Sequence, residues 1–243
     1  MKEVINKQLI IITYLESVIS EKYNVEDILL KETGTYNILK NIKATIENIL
    51  KITVNENNTQ SIISLSRNII DYYSIYFLFN HYHSNTEQLI RYYIYLIDSY
   101  KTLIKTQQLF LSLSSQQNKL KFETIFNDLI TKEEKSIVNL KTKILNHDFE
   151  KYCKEENINN GNWKFKNKIN KDKFGWKELY EFSINDDKYV ILISNYFSMY
   201  THGLGIINIK SDNQKIIEGT FGYISFVLNK FIEELNSKHG IGL

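Results

Sequence analysis

Apolar residues recur every three or four positions along most of the chain. Between 2 and 22, Val4, Ile5, Leu9, Ile12 and Leu15 form one stripe. Between 35 and 52, Tyr36, Leu39, Ile42, Ile46, Ile49 and Leu50 form a second, after a turn expected near Gly34. This is the period of an amphipathic helix. NENNTQ at 55–60 is polar and rich in capping residues, as a helix-to-helix connection requires. Segments 60–82, 86–113 and 119–149 continue the helical pattern, with SSQQN at 114–118 as the loop between the last two. Turn signals at the ~8–12-residue spacing of an all-β fold are missing.

The pattern breaks at 150–175. KYCKEENINNGNWKFKNKINKDKFG has little apolar periodicity and is expected to form a long irregular excursion or a hairpin-like insertion. WKELYEFS then predicts a short helix. Asn185 or Asp186 can cap a further helix over 187–202, which stops at Gly203. LGIINIKSDN predicts a connector with a brief strand. Residues 214–236 predict a terminal helix in which Gly219 and Gly222 each cost about 1 kcal/mol relative to Ala. Close approach of another helix would account for them. The expected fold is an all-α bundle of about seven or eight helices in a single domain, 1–243, with 152–175 as a loop or insertion.

Composition narrows the function classes. Of 243 residues, 43% are hydrophobic and 24% charged, enough to bury a core and too apolar for a disordered chain. The net charge of +2 excludes a globally basic nucleic-acid binder. The single cysteine, Cys153, excludes an internal disulfide and a Cys-rich zinc site. The first residues lack the small-residue cleavage site of a signal peptide, and no stretch reaches ~18 uninterrupted apolar residues. A cytoplasmic protein with no membrane span is expected. Proline is absent while Asn, Ile, Lys and Tyr abound, the bias of an AT-rich genome. Against that bias only two of the 30 basic residues are arginine, Arg67 and Arg91. Lysine serves most surface roles, so a retained guanidinium points to a need for its planar five-donor fork.

Two polar seams follow from helical geometry. At 100° per residue, Gln60, Ser64, Asp71, Ser74 and His81 fall within about 60° of Arg67, and apolar residues fill most of the remaining circumference. Arg67 and Asp71 are an i,i+4 pair. The seam is either a narrow solvent face or the lining of an internal cleft. On 187–202, Ser194, Asn195, Ser198, Thr201 and His202 lie on one side, and Ser198 and His202 are four residues apart. A lone helical histidine is commonly structural, but beside a guanidinium and a carboxylate it is a candidate acid or base.

Arg67 with Asp71 in an aromatic-rich helix, the Trp176-led helix, then Tyr196, Ser198, His202 and Gly203 resemble the pattern of a large family of all-helical bacterial proteins with no established activity. The resemblance spans roughly 60–236 and implies a helical fold with a shared polar centre. It implies no reaction. The pattern commonly has Glu where this chain has Asp71.

The chemistry stays open between an enzyme and a binding module. The expected centre is Arg67 and Asp71 facing Ser198 and His202, with Tyr196 beside them, able to hold an anionic or phosphate-bearing ligand. A non-enzymatic protein-interaction subunit or homodimer, in a defence or regulatory assembly, is the alternative. A metal-independent ribonuclease of the HEPN type is a second, with Arg67 on a phosphate and His202 moving a proton. No histidine follows either arginine at the four-to-six-residue spacing those enzymes use. His81 and His83 are read as a solvated helix end rather than a metal site, and no metal or cofactor is expected. In 161–177, six lysines meet one acid, Asp172, and both tryptophans. Lys164, Lys166, Lys168 and Trp163 are thus candidates for RNA contact, through phosphate attraction and base stacking. The competing reading is a solvated loop pinned by its aromatics.

Overall fold

A computed structural model describes residues 1–53, 59–113, 116–167, 172–186, 188–191, 195, 197 and 213–242, the side chains of 116–121 and 213 excepted. Eight α-helices are delimited: α1 Lys2–Lys22, α2 Lys31–Ile52, α3 Thr59–Asn80, α4 Asn85–Leu113, α5 Gln116–Leu145, α6 Glu155–Asn160, α7 Trp176–Ile184 and α8 Asn213–His239. A 3-10 turn lies at Phe149–Lys151. Among the described residues there is no β-strand beyond an isolated bridge, and the protein is an all-α multi-helix bundle.

The chain forms two compact units. The first comprises Met1–Phe77 and Trp176–Leu243; the second is Leu78–Gly175. In the first, α1 turns Ile5, Gln8, Ile12, Leu15 and Ile19 inward, the period of one helix face. Gln8 is the polar member. Its amide nitrogen donates to Ser225 O (2.9 Å), Ser225 Oγ (3.0 Å) and Asn229 Oδ1 (2.7 Å), which ties α1 to α8. Tyr76 meets Phe231 edge to face at 4.8 Å in the same core.

One sequence expectation changes here. Gly34 does not form a turn, because α2 starts at Lys31 and runs through it. The reversal lies earlier. Asp27 organises it, accepting from Leu29 N at 3.0 Å through Oδ1, and from Leu30 N at 3.0 Å and Thr33 Oγ1 at 2.6 Å through its carbonyl. At Gly219 and Gly222 no described residue makes the expected close approach. Among the described residues, a Cβ at Gly219 would meet nothing within 4 Å, and one at Gly222 only Met1 Cε at 3.9 Å.

The second unit is built on the α4–α5 hairpin. Ile90, Tyr92, Tyr93, Ile94 and Ile97 of α4 are buried, as are Leu140 and Ile144 of α5. Three devices hold the described residues of the 150–175 excursion. Gly161 ends α6 in the left-handed region (φ +71), where its missing Cβ lets Asp98 Cα come within 3.1 Å of the Cβ position. Lys166 N donates to Asp172 O (3.2 Å) and Phe174 N to Lys164 O (2.8 Å), a short antiparallel hairpin. Arg91 supplies the third. Its side chain is fully buried, its Nη1 donates to Phe165 O at 2.7 Å, and its guanidinium lies between the rings of Tyr82 (4.0 Å) and Phe165 (3.7 Å).

Candidate functional site

The polar seam of α3 meets α7 within the first unit. On α7, Trp176, Tyr180 and Ser183 are spaced i, i+4, i+7 and share one face. On α3, Arg67, Asp71 and Ser74 have the same spacing. The pairing grades from open to closed. At the closed end Ser74 is fully buried, its hydroxyl 2.9 Å from that of Ser183. Beside them the Tyr73 hydroxyl is shared between Ser183 O (3.2 Å) and Glu234 Oε1 of α8 (2.8 Å). Burial raises the Glu234 carboxyl above the usual carboxylate range, against the Tyr73 hydrogen bond and the nearby Lys230 and Lys238 charges. Lys230 Nζ closes α7, donating to Ile184 O at 2.7 Å.

The open end holds the guanidinium. Arg67 Nε lies 3.8 Å from Asp71 Oδ2, and the two side chains keep 24% and 25% of their exposure. The other carboxylate oxygen, Oδ1, accepts from the buried Tyr180 hydroxyl. Burial, followed by the Asp71 charge, raises the Tyr180 phenol well above its ordinary value, while Arg67 acts in the opposite sense. Tyr180 is therefore held protonated as a donor to Asp71. Trp176 stands one turn earlier, 37% exposed, its ring 6.0 Å from that of Tyr180 and tilted by 36°. A quarter-exposed guanidinium, a carboxylate drawn toward α7 and an aromatic surface thus share one edge of the unit.

Of the sequence candidates, Arg67 and Asp71 are brought together here. Tyr196, Ser198 and His202 lie outside the described residues, as does Lys168. At the preceding cap, the expectation for Asp186 is met: its Oδ1 accepts from Lys188 N (3.1 Å) and Tyr189 N (3.2 Å). Tyr180 escaped the sequence reading because its period matches a core aromatic. The signal available was its register, four residues from Trp176 and three from Ser183.

Trp163 sits in the core of the second unit. It is 5% exposed, with Phe79 and Tyr95 edge-on at 5.9 and 5.2 Å and its Nε1 donating to Asp98 Oδ2 at 3.3 Å. No ring face is open to a nucleic-acid base. The Lys164 and Lys166 ammoniums lie 5.6 Å from the Trp163 and 5.7 Å from the Phe174 ring centroids. Phe165, between them, is fully buried. The RNA reading of this segment loses its stacking residue.

Cys153 is buried beside the same core, and burial pushes its thiol up to about 11 although Arg91 pulls it down. Among the described residues no three or more His, Cys, Asp or Glu side chains cluster as metal ligands would. No helix among them is long and apolar enough to cross a membrane. Comparison with known proteins finds no matching family model, no similar curated protein and no similar solved structure.

Proposed function

We propose that this chain is a binding protein for a small phosphate-bearing anion, held by Arg67 at the open end of the α3–α7 seam. One observation carries the reading: among the described residues, Arg67 has more donors than Asp71 and Tyr180 can use. A guanidinium offers five N–H groups. Asp71 stands 3.8 Å from its Nε and spends Oδ1 on Tyr180, whose hydroxyl oxygen also accepts from the guanidinium. The outer edge of the fork is then available for a bidentate contact, the geometry in which arginine outperforms lysine on phosphate. Asp71 orients the fork, Tyr180 fixes Asp71, and the Trp176 ring flanks the ligand. In this proposal Ser198 and His202 add a hydroxyl and an imidazole to the same ligand.

The test is calorimetric titration with inorganic phosphate, pyrophosphate and a nucleoside monophosphate at fixed ionic strength. Arg67→Gln is expected to weaken the best of these by tenfold or more, since a hydrogen bond to a charged group contributes about 1.5–3 kcal/mol. Arg67→Lys should recover only part of the loss. Equal affinity in wild type and Arg67→Gln would end the proposal.

A second reading, protein association through the α4–α5 hairpin, rests on its exposed apolar side chains. Leu103 (48%), Phe110 (46%) and Leu113 (77%) lie along one flank of α4, and Ile125 (55%) and Leu129 (38%) on α5. Light scattering across a concentration series tests it, with Leu113→Glu expected to abolish any dimer.

A further inference from the structure

The α4–α5 hairpin changes character along its length. Near its base Ile90, Ile94, Ile97, Leu140 and Ile144 are all 2% exposed or less. Farther out, no residue of 101–113 or 122–139 is buried. Half-buried positions recur there at helical spacing, among them Ile104, Gln107 and Leu111 on α4 and Phe126, Ile130 and Glu133 on α5. They mark the seam along which the two helices meet. Across it Gln107 Nε2 donates to Glu133 Oε1 at 3.0 Å, and the Phe110 ring lies 5.1 Å from that of Phe126. This polar pair interrupts the apolar seam, and its other two oxygens, Gln107 Oε1 and Glu133 Oε2, are buried with no hydrogen-bond partner among the described residues.

Helix geometry sorts the other side chains of this outer stretch onto two faces. In an antiparallel pair, the residue preceding a seam position points to one side of the hairpin on both helices, and the residue following it points to the other. The preceding positions hold Leu103 (48% exposed), Phe110 (46%), Ile125 (55%) and Leu129 (38%), with Leu113 (77%) a turn beyond Phe110. Thr106 and Lys132 complete that set, so one charged residue stands on the face among the described residues. The following positions are Lys105, Gln108, Ser112, Asn127, Thr131 and Glu134, all polar. Leu109 and Val138 are exposed singly elsewhere on the hairpin. The five apolar side chains of the first face together expose about 500 Å², as much as the largest apolar patch of a typical monomer.

We propose, building on the reading of this hairpin as an association surface, that its apolar face is covered by the same face of a second copy, the two hairpins closing into a four-helix bundle about a two-fold axis. Shape selects this partner first. An exposed two-helix layer is half of a four-helix bundle, and an identical layer supplies a complement of matching length and spacing. Charge selects it next. Lys132 is followed by the Glu133 carboxylate of the seam, so the face carries no net charge and two copies meet without repulsion. A nucleic acid or an anionic membrane would gain nothing from such a face. Area agrees with both. A face about four turns long and two helices wide approaches the ~800 Å² per partner of a standard interface. The bundle also gives the outer hairpin the tertiary packing from which helices draw most of their stability, and which one seam broken by a polar pair supplies poorly.

The experiment is sedimentation velocity of the full chain across a concentration series, on wild type and on variants that keep their helix content by circular dichroism. Wild type should pass from one copy to two as concentration rises. Ile125→Lys and Leu129→Lys put a charge into the centre of the face on both copies at once, and each should raise the dissociation constant by about tenfold or more. Both positions are exposed in the single chain, so neither change should disturb its fold. Lys105→Glu and Thr131→Lys, on the polar face, should leave the constant within about twofold of wild type. A chain that stays monomeric at every concentration overturns the second copy and leaves the hairpin to a different partner. A dimer that Ile125→Lys and Leu129→Lys leave intact overturns both this pairing and the hairpin as the association surface. Equal losses in the variants of both faces overturn the assignment of the face.

Discussion

Replacing Arg91 by methionine should destabilise the second unit by about 3–5 kcal/mol, a large fraction of the ~5–15 kcal/mol typical of a folded domain. The structure supplies the components. The guanidinium is fully buried and ion-paired with Glu87 Oε1, 3.1 Å from Nε and 2.9 Å from Nη2. Nη1 donates to Phe165 O at 2.7 Å and reaches Trp163 O at 3.4 Å. Charged hydrogen bonds contribute about 1.5–3 kcal/mol each, and a desolvated cation–π contact up to about 2. Offsetting these is the cost of burying the charge, several kcal/mol, which methionine does not incur. What remains is the penalty of stranding the Phe165 carbonyl, with Glu87 kept partly solvated at 16% side-chain exposure.

Arg91→Lys sharpens the test. Lysine keeps the charge but not the fork, so it cannot serve Glu87 and the Phe165 carbonyl in the same geometry, nor lie flat between two rings. It should cost about 2–3 kcal/mol, from one lost charged hydrogen bond and weaker stacking. Urea denaturation of a Trp176→Phe background leaves Trp163 as the only tryptophan and reports on this unit directly. The double variant Arg91→Met with Glu87→Gln should lose clearly less than the two single losses combined, since the pair acts as one unit. A loss below about 1 kcal/mol for both Arg91→Met and Arg91→Lys would refute the account of Arg91 as the clasp of the 150–175 excursion.

Three further outcomes follow. Asp71→Ala should cost about 1–2 kcal/mol in denaturant melts rather than the 3–5 of a buried pair, because both partners keep about a quarter of their exposure; Tyr180→Phe should cost about the same, and a loss above 3 in either would show a pair more deeply buried. His239 has its folded value lowered to about 4 from an ordinary 6.5, so between those limits the unfolded chain binds more protons and stability falls as pH drops, by at most about 1.4 kcal/mol per pH unit. Glu234, raised by burial, works the opposite way, so the readout is wild type minus His239→Gln across that window, and a flat difference would refute the assignment. Cys153 should react with a thiol reagent at pH 8 only as fast as the unit opens, because its thiol is buried and held near 11; modification at the rate of a free thiol would refute its burial.

How far the sequence could be read depended on whether a feature is carried by period or by partner. The α3 seam was legible because Gln60, Ser64, Asp71 and Ser74 fall within about 60° of Arg67, which a 100° rotation per residue makes visible; His81, counted with them from the sequence, lies just past the end of α3 at Asn80. The helical class followed from the same periodicity. What faces the seam was not legible. Tyr180 has an apolar body and a polar tip, so in a hydrophobicity pattern it reads as core, and only the Asp71 contact reveals its hydroxyl. The misplaced turn has a similar cause. Gly34 is a statistical breaker, yet glycine is tolerated in a first helical turn. The real reversal is made by Asp27, whose role depends on backbone N–H groups two and three residues away and on the Thr33 hydroxyl six residues away. The role of Arg91 in 150–175 was hidden for the same reason, since the Phe165 carbonyl it holds lies 74 residues downstream.

The two arginines show how one residue type divides between structure and ligand binding. Composition marked both as informative and could not separate them. Counting donors separates them. Arg91 offers five N–H groups to a carboxylate and two carbonyls, and both faces of its plane are covered by rings. Among the described residues, Arg67 offers the same five to a carboxylate at 3.8 Å and to the Tyr180 hydroxyl that this carboxylate also engages, and it stays a quarter exposed. A buried guanidinium must be saturated, because an orphaned donor there costs the full desolvation penalty. A partly exposed one can leave donors to water and exchange water for an anion at little cost. The consequence is a crossed pair of outcomes from one conservative change. Lysine at 91 should lower unfolding free energy by about 2–3 kcal/mol and leave phosphate affinity intact. Lysine at 67 should leave stability within about 0.5 kcal/mol and weaken phosphate binding severalfold. If both changes fell on stability, or both on binding, donor saturation would not be what distinguishes the two sites.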